Sequence, residues 1–400
     1  MIRAFIMAAG KGTRMWPLTE NRPKAMIPVL NKPIIEHILD PIVNAGIDRI
    51  TILIGYKGSI IAKRYGDKYK NARISYEYQE SIAGTGDAIR YLKRYPEDKF
   101  LILNGDLIFD PRVVEEILSE DIAILSVFKE NAERYGIIKG EDYLEKIEEK
   151  VPGAKNQWIN AGIYLVDRDI FNYSCDISAR GEYELVDIIN KMAVRKEIKI
   201  VRSKSYWFDI GTPWDLLEIN KFLMDRKKFE INGEIEENVV IKGNVGIGEG
   251  SRILSGTYIE GPVLIGKNCK IGPNAYLRPY TVIGDNCHVG NSCEIKASVI
   301  MNGTKIPHFN YVGDSVIGEN CNLGAGTKIA NLRLDEKSIK VYLKGKLVDT
   351  GRRKLGVIMG DFVHTGINAS IDVGTFIGSC SFIGPGALAR GVIKSGSRIF

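Results

Sequence analysis

The chain has 400 residues, which favours two domains over one. Apolar residues make up 44% and charged residues 26%, a composition typical of folded globular proteins rather than disordered ones. The net charge of +6 is too small to indicate a nucleic-acid or membrane partner, and no run reaches the ~18 apolar residues of a transmembrane helix. The six cysteines lack C-x-x-C spacing, which argues against a zinc ribbon. We therefore expect a cytoplasmic protein that binds neither nucleic acid nor membrane.

Strand and helix patterns alternate up to about residue 230. The predicted elements are strands at 3–9, 49–54 and 100–103, and helices at 34–44, 88–93 and 214–228, the last as a linker. Such alternation predicts a mostly parallel sheet covered by helices, so residues 1–230 form a Rossmann-like α/β domain in this interpretation.

A hexapeptide repeat begins after residue 230. A large aliphatic residue recurs every six positions from Ile241 to Met301, and a small residue follows four positions after each of the first ten. This pattern is the signature of a parallel β-helix with about 18 residues per coil, so residues 231–400 are predicted to form a second domain of this type. Four cysteines, Cys269, Cys287, Cys293 and Cys321, occupy the small inward position and are predicted to be buried core residues.

The repeat is interrupted twice. It breaks after Met301, resumes at Ile317, and breaks again across about 330–356. Insertions in a solenoid emerge as loops, and loops on a rigid scaffold often carry function.

A glycine loop follows the first strand. Gly10 and Gly12 permit close approach of the backbone to a phosphate, although the loop matches neither G-x-G-x-x-G nor a P-loop. Lys11, Arg14 and Lys24 add three cations within fourteen residues, and the prolines around Lys24 hold the chain extended.

The string G-K-G-T-R-M-W-P-L-T followed by R-P-K-A-M-I-P-V resembles the sugar-phosphate nucleotidylyltransferases. The resemblance implies in-line attack of a sugar 1-phosphate on the α-phosphorus of a nucleoside triphosphate, with Mg²⁺ and release of pyrophosphate. The residues that it implies are Arg14 and Lys24 for catalysis, Ala9, Gly10, Gly12, Thr13, Gln79, Gly84 and Thr85 for the nucleotide, Gly136, Glu149, Lys150 and Asn160 for the sugar phosphate, and Asp106 and Asp209 for the metal. The alternatives are that Asp106 and Asp209 cap turns and that Glu149 only belongs to an acidic run.

A second set of residues, between 277 and 331, resembles the acetyltransferase half of the bifunctional enzymes that make UDP-N-acetylglucosamine. The resemblance implies acetyl-CoA as co-substrate and glucosamine 1-phosphate as acceptor, with His308 as the base, because transfer to an amine requires proton removal. The other implied residues are Arg278 and Lys296 for the sugar phosphate and Tyr311, Asn322 and Asn331 for the amino sugar. Lys337 and Lys340 lie beyond the resemblance, and we expect them to replace a sugar- or phosphate-binding lysine, the alternative being that they belong to a solvated charged hairpin. The alternative for His308 is a solvated loop histidine.

Beyond Asn331 this resemblance ends. Residues 328–354 hold nine basic and three acidic residues, a net of +6 that equals the excess of the whole chain. We expect this segment to attract the phosphates of CoA or of the sugar, the alternative being a solvated hairpin. Residues 366–389 are predicted to line the acetyl-CoA groove.

The leading hypothesis is a bifunctional enzyme that acetylates glucosamine 1-phosphate and couples a sugar 1-phosphate to UTP or dTTP. Both triphosphates stay open because Asp209 lies in W-F-D, which resembles the thymidylyl- and uridylyltransferase branch for glucose 1-phosphate. One alternative is a single-activity enzyme of that branch with a structural or regulatory β-helix. A nucleotide sensor without activity is disfavoured by the set Arg14, Lys24 and Asp106. The resemblance to left-handed β-helix acyltransferases implies that residues 231–400 coil with a left hand and that the protein is a homotrimer.

Overall fold

The computed structural model describes residues 1–80, 84–178 and 181–400. The Cα positions group into two compact units. The α/β unit comprises Met1–Lys11, Pro23–Met26 and Pro33–Asp209, and the β-helix unit comprises Gly12–Arg22, Ile27–Lys32 and Ile210–Phe400. The sequence-based boundary at 230/231 stays a prediction, and two N-terminal segments group with the β-helix unit.

The predicted alternation of strands and helices up to residue 230 is present. The strands are β1 Ile2–Ala8, β2 Pro28–Val29, β3 Lys32–Pro33, β4 Arg49–Ile54, β5 Lys68–Tyr69, β6 Ala72–Tyr78, β7 Lys99–Asn104, β8 Leu107–Phe109, β9 Ala123–Asn131, β10 Gly136–Lys139, β11 Lys146–Glu149, β12 Lys155–Asp167, β13 Lys199–Ser203 and β14 Trp207–Asp209. The helices are α1 Ile34–Asn44, α2 Ser59–Tyr65, α3 Arg112–Leu118, α4 Leu185–Ala193 and α5 Asp215–Met224, with short 3₁₀ helices at Thr13–Met15, Lys24–Met26, Asp87–Arg94 and Arg168–Asn172.

The main sheet of the α/β unit runs in the order β11-β10-β12-β7-β1-β4-β6-β5. Strands β7, β1, β4 and β6 are parallel to one another, whereas β12 is antiparallel to β7. Strands β1, β4 and β7 are mostly apolar and buried, as expected of parallel strands covered on both faces, whereas β6 exposes Arg73 and Tyr78. Helix α1 shows the matching helical pattern, in which Ile34, Ile35, Ile38, Leu39 and Ile42 are all fully buried.

The predicted parallel β-helix is confirmed, and its left-handedness stays a prediction. Three parallel sheets form its faces. Face 1 contains Glu234–Ile235, Arg252–Ile253, Lys270–Ile271, His288–Asn291, Lys305–His308, Asn322–Leu323, His364–Thr365, Phe382–Ile383 and Arg398–Ile399. Face 2 contains Val240–Lys242, Tyr258–Glu260, Tyr276–Leu277, Glu294–Lys296, Tyr311–Gly313, Lys328–Ile329, Ser370–Ile371 and Leu388–Ala389. Face 3 contains Val245–Ile247, Val263–Ile265, Thr281–Ile283, Val299–Ile300, Val316–Ile317, Ile358–Met359, Phe376–Ile377 and Val392–Ile393.

The inward aliphatic residues form one continuous core, and the four cysteines predicted to be inward are buried in it. The predicted break after Met301 is wrong in its nature. Ile300, not Met301, lies in register with Ile283, and Ile317 follows Ile300 on the next coil. Each of these two successive coils is one residue shorter than the usual coil and extrudes no loop, so His308 ends a regular strand of face 1.

The second predicted break is a true insertion. It carries an antiparallel hairpin of Lys340–Leu343 and Lys346–Asp349. Ile339 and Val341 are buried, and a Cβ placed at Gly374 would lie 2.7 and 3.0 Å from their side chains. The hairpin thus packs on the β-helix through its apolar side chains.

No helix within the described ranges is long and apolar enough to cross a membrane.

Candidate functional sites

The carboxyl ends of the parallel strands bring the first group of predicted residues together. Strands β1, β4 and β7 end side by side at Ala8, Ile54 and Asn104. Open α/β sheets bind ligands at this edge. Ala9 and Gly10 follow β1, and the Ala9 carbonyl accepts a hydrogen bond from Tyr56 N at 3.2 Å.

Two glycines that the sequence analysis did not select allow this edge to close. A Cβ at Gly55 would lie 2.7 Å from Ala9 O, and one at Gly105 would lie 2.7 Å from Met7 O. Backbone oxygens cannot yield at such distances. The loops after β4 and β7 can therefore pack against the end of β1 only because these positions lack side chains.

Lys24 and Asp106 form an ion pair at this edge. The distance from Lys24 Nζ to Asp106 Oδ2 is 2.5 Å, and the side chains are 14% and 32% exposed. Asp106 lies in the turn between β7 and β8. A cation of the proline-flanked segment and a carboxylate at a strand end thus meet, as expected of residues that share a site.

Asp209 joins the same neighbourhood through strand pairing. It ends β14 and lies opposite Leu107 of β8, the residue next to Asp106. The Tyr135 hydroxyl donates to Asp209 Oδ1 at 2.5 Å. The two residues predicted to hold the metal are therefore close along the pairing of β14 with β8.

Lys129 is a charged residue here that the sequence analysis missed. Its Nζ donates to Trp207 O at 3.2 Å and lies 5.1 Å from the centre of the Trp207 ring. Burial lowers the pKa of Lys129, and the positive charge of Arg134 adds to this, whereas the carboxylate of Asp209 opposes it. Lys129 lies in a strand that mixes polar and apolar residues, so the sequence does not indicate that its side chain is buried beside Trp207.

The residues predicted to hold the base lie in a polar network beside α4. Gln79 is buried, and its Nε2 donates to Asp87 Oδ2 at 3.1 Å. The Thr85 hydroxyl accepts from Leu185 N, the first residue of α4, at 3.0 Å. At Gly84, φ is +112°, and a Cβ would lie 2.2 Å from Tyr183 O, so this position requires glycine. Gln79 and Thr85 thus both have local partners.

The segments predicted to bind the sugar phosphate lie at the β10–β11 edge. Gly136 is paired in register with Glu149, and a Cβ at Gly136 would lie 2.6 Å from Glu149 Oε1. Glycine thus makes room for this carboxylate. Lys150 is exposed, and its backbone N–H donates to Tyr135 O at 3.2 Å, next to the tyrosine that contacts Asp209.

Asn160 supports a bulge in β12. Its Oδ1 accepts from Gly162 N at 3.0 Å and its Nδ2 donates to the Tyr164 hydroxyl at 2.6 Å. Burial raises the pKa of Tyr164, although the hydrogen bond with Asn160 lowers it. Both polar ends of the Asn160 side chain are therefore engaged locally.

The remaining predicted nucleotide residues belong to the β-helix unit. Gly12 has φ of +59°, and its carbonyl accepts from Met15 N at 2.8 Å and from the Thr19 hydroxyl at 3.1 Å. Thr13 and Arg14 are exposed on the short helix that follows. The left-handed turn at Gly12 thus turns the chain so that both side chains reach solvent.

A polar cluster on face 2 contains most of the predicted acetyl-transfer residues. Lys296 Nζ lies 3.1 Å from Asp314 Oδ2, which also accepts from Asn331 Nδ2 at 2.6 Å. Asp314 is buried, at 6% exposure. Arg278 Nη1 pairs with Glu294 Oε1 at 2.8 Å one coil away. Neither acid was predicted, because both lie far from their partners in sequence.

Two further features leave polar groups available in this cluster. Arg278 Nε is buried and has no hydrogen-bond partner among the residues that the structure describes. A Cβ at Gly313 would lie 2.7 Å from the Tyr311 hydroxyl and 2.6 Å from Asn331 Nδ2. Glycine therefore gives these two side chains room on the surface of face 2.

His308 lies at the corner between faces 1 and 2, three residues before Tyr311. Its side chain is exposed, and its backbone carbonyl accepts from Gly326 N at 3.0 Å. Asn322 is half-buried on the next coil of face 1. His288 lies one coil earlier, where burial and the charges of neighbouring basic residues lower its pKa. His308 thus ends a strand of face 1, Tyr311 begins the face 2 strand of the same coil, and Asn322 begins the face 1 strand of the next coil.

Lys337 and Lys340 are exposed in the insertion, and among the described residues no ion pair or hydrogen bond joins either side chain to the face 2 cluster. Part of the basic excess is paired. Arg333 contacts Asp335 at 2.7 Å, Arg352 contacts Glu218 at 2.6 Å, and Arg353 pairs with Glu336. The acids paired with Arg333 and Arg353 are already counted in the net of +6, so only Glu218, which lies outside the segment, offsets part of that excess.

The α/β unit has a paired lysine and two carboxylates at its strand ends, and a parallel β-helix accompanies it in the chain. These features are those of a nucleotidyltransferase with a β-helix domain. The protein-family model "Nucleotidyl transferase" matches residues 3–226, and the model "GMPPB C-terminal domain" matches residues 259–366. A solved structure from Bacillus anthracis, assigned as a glucose-1-phosphate thymidylyltransferase, is 26% identical with a TM-score of 0.51 and covers 58% of this chain and 98% of its own.

Two curated relatives match nearly the whole chain. "Bifunctional protein GlmU" of Methanocaldococcus jannaschii is 46% identical, covering 99% of this chain and 97% of its own length. "Bifunctional sugar-1-phosphate nucleotidylyltransferase/acetyltransferase" of Sulfurisphaera tokodaii is 46% identical, covering 97% of each. The chain belongs to this family of bifunctional sugar-1-phosphate nucleotidylyltransferase/acetyltransferases.

Proposed function

We propose that the chain catalyses two reactions at separate clusters. The β-helix transfers an acetyl group from acetyl-CoA to glucosamine 1-phosphate. The α/β unit and the glycine loop transfer a nucleotidyl group from UTP or dTTP to N-acetylglucosamine 1-phosphate or glucose 1-phosphate. The observation that carries this proposal is the presence of two chemically distinct clusters, Lys24–Asp106 and Lys296–Asp314–Asn331.

Nucleotidyl transfer requires placement and charge neutralisation rather than a covalent enzyme intermediate. An oxygen of the sugar phosphate attacks the α-phosphorus, the new P–O bond forms, and pyrophosphate leaves. Lys24 and Arg14 supply positive charge to the phosphates in this proposal. The ion pair with Asp106 orients the ammonium group of Lys24 before the substrate binds.

Asp106 and Asp209 fit a magnesium ion by the chemistry of their donors. Carboxylate oxygens suit this hard cation, which one or two carboxylates and substrate phosphates usually hold. The pairing of β14 with β8 brings the two residues to adjacent positions. When bound, the ion would neutralise charge on the phosphates. Within the described ranges no group of three His, Cys, Asp or Glu side chains could cage a metal.

Acetyl transfer requires a base beside the amine. The amine nitrogen attacks the thioester carbon, the C–N bond forms, the C–S bond breaks, and the thiolate leaves as free CoA after protonation. His308 accepts the proton of the amine, since imidazole is the side chain suited to this role near neutral pH. Arg278 and Lys296 bind the sugar phosphate, and Tyr311, Asn322 and Asn331 orient the amino sugar.

Names of relatives support both triphosphates. A relative from Haloferax volcanii named as a UTP–glucose-1-phosphate uridylyltransferase is 32% identical over 56% of this chain and 97% of its own length and favours UTP, whereas the Bacillus anthracis structure favours dTTP. We also propose a homotrimer, since exposed apolar residues on the faces of the β-helix, such as Leu388 and Phe382, suit association between β-helices. A cytoplasmic location completes the proposal.

The experiment that tests the proposal measures pyrophosphate and free CoA separately for a panel of triphosphates and sugar 1-phosphates. We expect His308→Ala to abolish CoA release and to leave pyrophosphate release unchanged. The matched control is His288→Ala on the same face, which should retain both activities. Absence of CoA release from glucosamine 1-phosphate in the wild-type protein would contradict the acetyl-transfer half of the proposal.

A further inference from the structure

The chain segment that carries Arg14 is fixed to the last coils of the β-helix. This segment, Gly12–Arg22, groups with the β-helix unit rather than with the sheet that precedes it. The Trp16 ring stacks on the Phe376 ring of face 3, with centroids 6.3 Å apart and planes within 6°. Stacked aromatic pairs stabilise a contact beyond the burial of their area.

Glu20 attaches the segment at a second point. Its Oε2 accepts from Ser379 N at 2.7 Å, and its Oε1 accepts from Trp16 Nε1 at 2.6 Å and bonds the Ser395 hydroxyl. Burial raises the pKa of Glu20, but these hydrogen bonds outweigh it, so that the net shift is downward. The carboxylate thus joins the indole of its own segment to two coils of the β-helix.

Arg22 makes the third and most buried attachment. Its Nη2 donates to Asp361 Oδ2 at 2.6 Å, and its Nη1 lies 3.1 Å from Glu319 Oε1. Arg22 is 7% exposed and Asp361 is 3% exposed. Asp361 Oδ2 also accepts from Asn21 Nδ2 at 3.0 Å. A buried charge without its partner is costly, so removal of either charge should disturb the segment.

These attachments act on residues that the proposed nucleotidyl transfer uses. Arg22 lies eight residues after Arg14 in the same segment and two residues before Lys24. Pro23, between Arg22 and Lys24, restricts the backbone of this link. Arg22 therefore fixes one end of the segment that carries Arg14.

We propose that Asp361 of the β-helix is a positioning residue for nucleotidyl transfer, acting through Arg22 on the segment that carries Arg14 within the same compact unit. The β-helix then serves both reactions, its own acetyl transfer and the placement of the phosphate-binding Arg14. This inference rests on the proposed nucleotidyl transfer. The competing explanation is that the contact between Arg22 and Asp361 only stabilises the fold, in which case its loss would lower stability without a selective effect on one reaction.

The test compares Asp361→Asn with Asp285→Asn. Both carboxylates accept an equivalent hydrogen bond from the backbone of the preceding coil. Asp361 Oδ1 accepts from Glu319 N and Asp285 Oδ1 accepts from Lys267 N, each at 2.7 Å. The Asp285 side chain accepts from Lys267 N and its backbone N–H donates to Asn302 Oδ1, and both partners belong to the coils of the β-helix. Misplacement of a catalytic group by about 1 Å can cost about 100-fold in rate. We expect Asp361→Asn to lower kcat for pyrophosphate release at least tenfold, with the KM for the sugar phosphate and the rate of CoA release within twofold of wild type. Asp285→Asn should change neither activity.

A second variant covers the case in which Asp361→Asn does not fold. Glu20→Gln leaves the ion pair of Arg22 intact but places an amide against Ser379 N or Trp16 Nε1, and it should reduce kcat for pyrophosphate release selectively. Arg22→Lys keeps a cation beside Asp361 and should lose less than Asp361→Asn. Equal loss of both activities, or a kcat for pyrophosphate release within twofold of wild type in the folded variants, would overturn the inference. Absence of pyrophosphate release in the wild-type protein would instead refute the proposed function.

Discussion

The buried carboxylate of Asp314 should be essential for acetyl transfer although it was not among the predicted site residues. It bonds Lys296 and Asn331 at once, and its side chain is 8% exposed against 17% for that of Lys296. The substitution Asp314→Asn removes the charge and keeps the shape. At φ of +49°, asparagine fits the backbone as well as aspartate does.

The expected effect follows from the ion pair. Breaking a buried pair by removing one partner costs about 3–5 kcal/mol, and the partial exposure of Lys296 places this case near the lower limit. If about 3 kcal/mol falls on the bound transition state, the kcat/KM for glucosamine 1-phosphate drops by about 100-fold, since each 1.36 kcal/mol is tenfold.

The assay is CoA release at varied glucosamine 1-phosphate, with pyrophosphate release measured on the same preparation. Asp335→Asn is the matched control, because it removes an exposed pair with Arg333 in the insertion and should leave both rates unchanged. Retention of kcat/KM within threefold in Asp314→Asn would refute the reasoning. Equal loss of both activities would refute a role specific to acetyl transfer.

Three further predictions concern stability, thiol chemistry and charge. Although burial raises the pKa of Glu97, hydrogen bonds from Arg3 and Arg49 lower it to about 2 from its usual 4.5, so its stabilisation is complete above pH 4.5 and is lost as the pH falls towards 2. This shift corresponds to about 3 kcal/mol, and Glu97→Gln should flatten the pH dependence of thermal unfolding in that window, whereas an unchanged slope would contradict the assignment. A thiol reagent should label exposed Cys380 first in the native protein and leave the four inward cysteines unlabelled until unfolding, and early labelling of these four would contradict the packing of the core. The double substitution Lys344→Gln and Lys346→Gln should raise the KM for acetyl transfer at low salt and less at high salt, and an unchanged KM would identify the hairpin as a solvated one.

The β-helix was largely predictable because its constraint is local and repeated. Each coil must place an aliphatic and a small residue inward, and this rule leaves a period of six in the sequence. The prediction was wrong at Met301 because the loss of one residue moves the pattern by one position without ending the coil. Ile300 then takes the inward position, and both residues are buried, so periodicity alone could not choose between them.

The chemistry-bearing residues were predictable where a compact motif carried them. Lys24 and Asp106 came from two short motifs, and their contact at 2.5 Å is one that strand order makes possible. Their supports were not predictable. Gly55 and Gly105 have a role only because two loops approach the end of β1, and this depends on the three-dimensional packing of the sheet.

Contacts between distant parts of the chain gave no signal in one sequence. Arg22 lies 339 residues from Asp361, and neither residue departs from the composition of its surroundings. Lys296 and Asp314 are separated by 18 residues, about one coil, and the repeat predicts their proximity but not the choice of charge. Periodicity predicts which positions meet, whereas complementary charge at those positions requires the structure.

The central claim is that one chain carries two separable activities. The most direct test is a single assay that follows pyrophosphate and free CoA in parallel for wild type, Asp106→Ala and His308→Ala. Asp106→Ala should lose pyrophosphate release and keep CoA release, and His308→Ala should do the reverse. Loss of both products in either variant with its fold intact, or retention of both, would contradict the account.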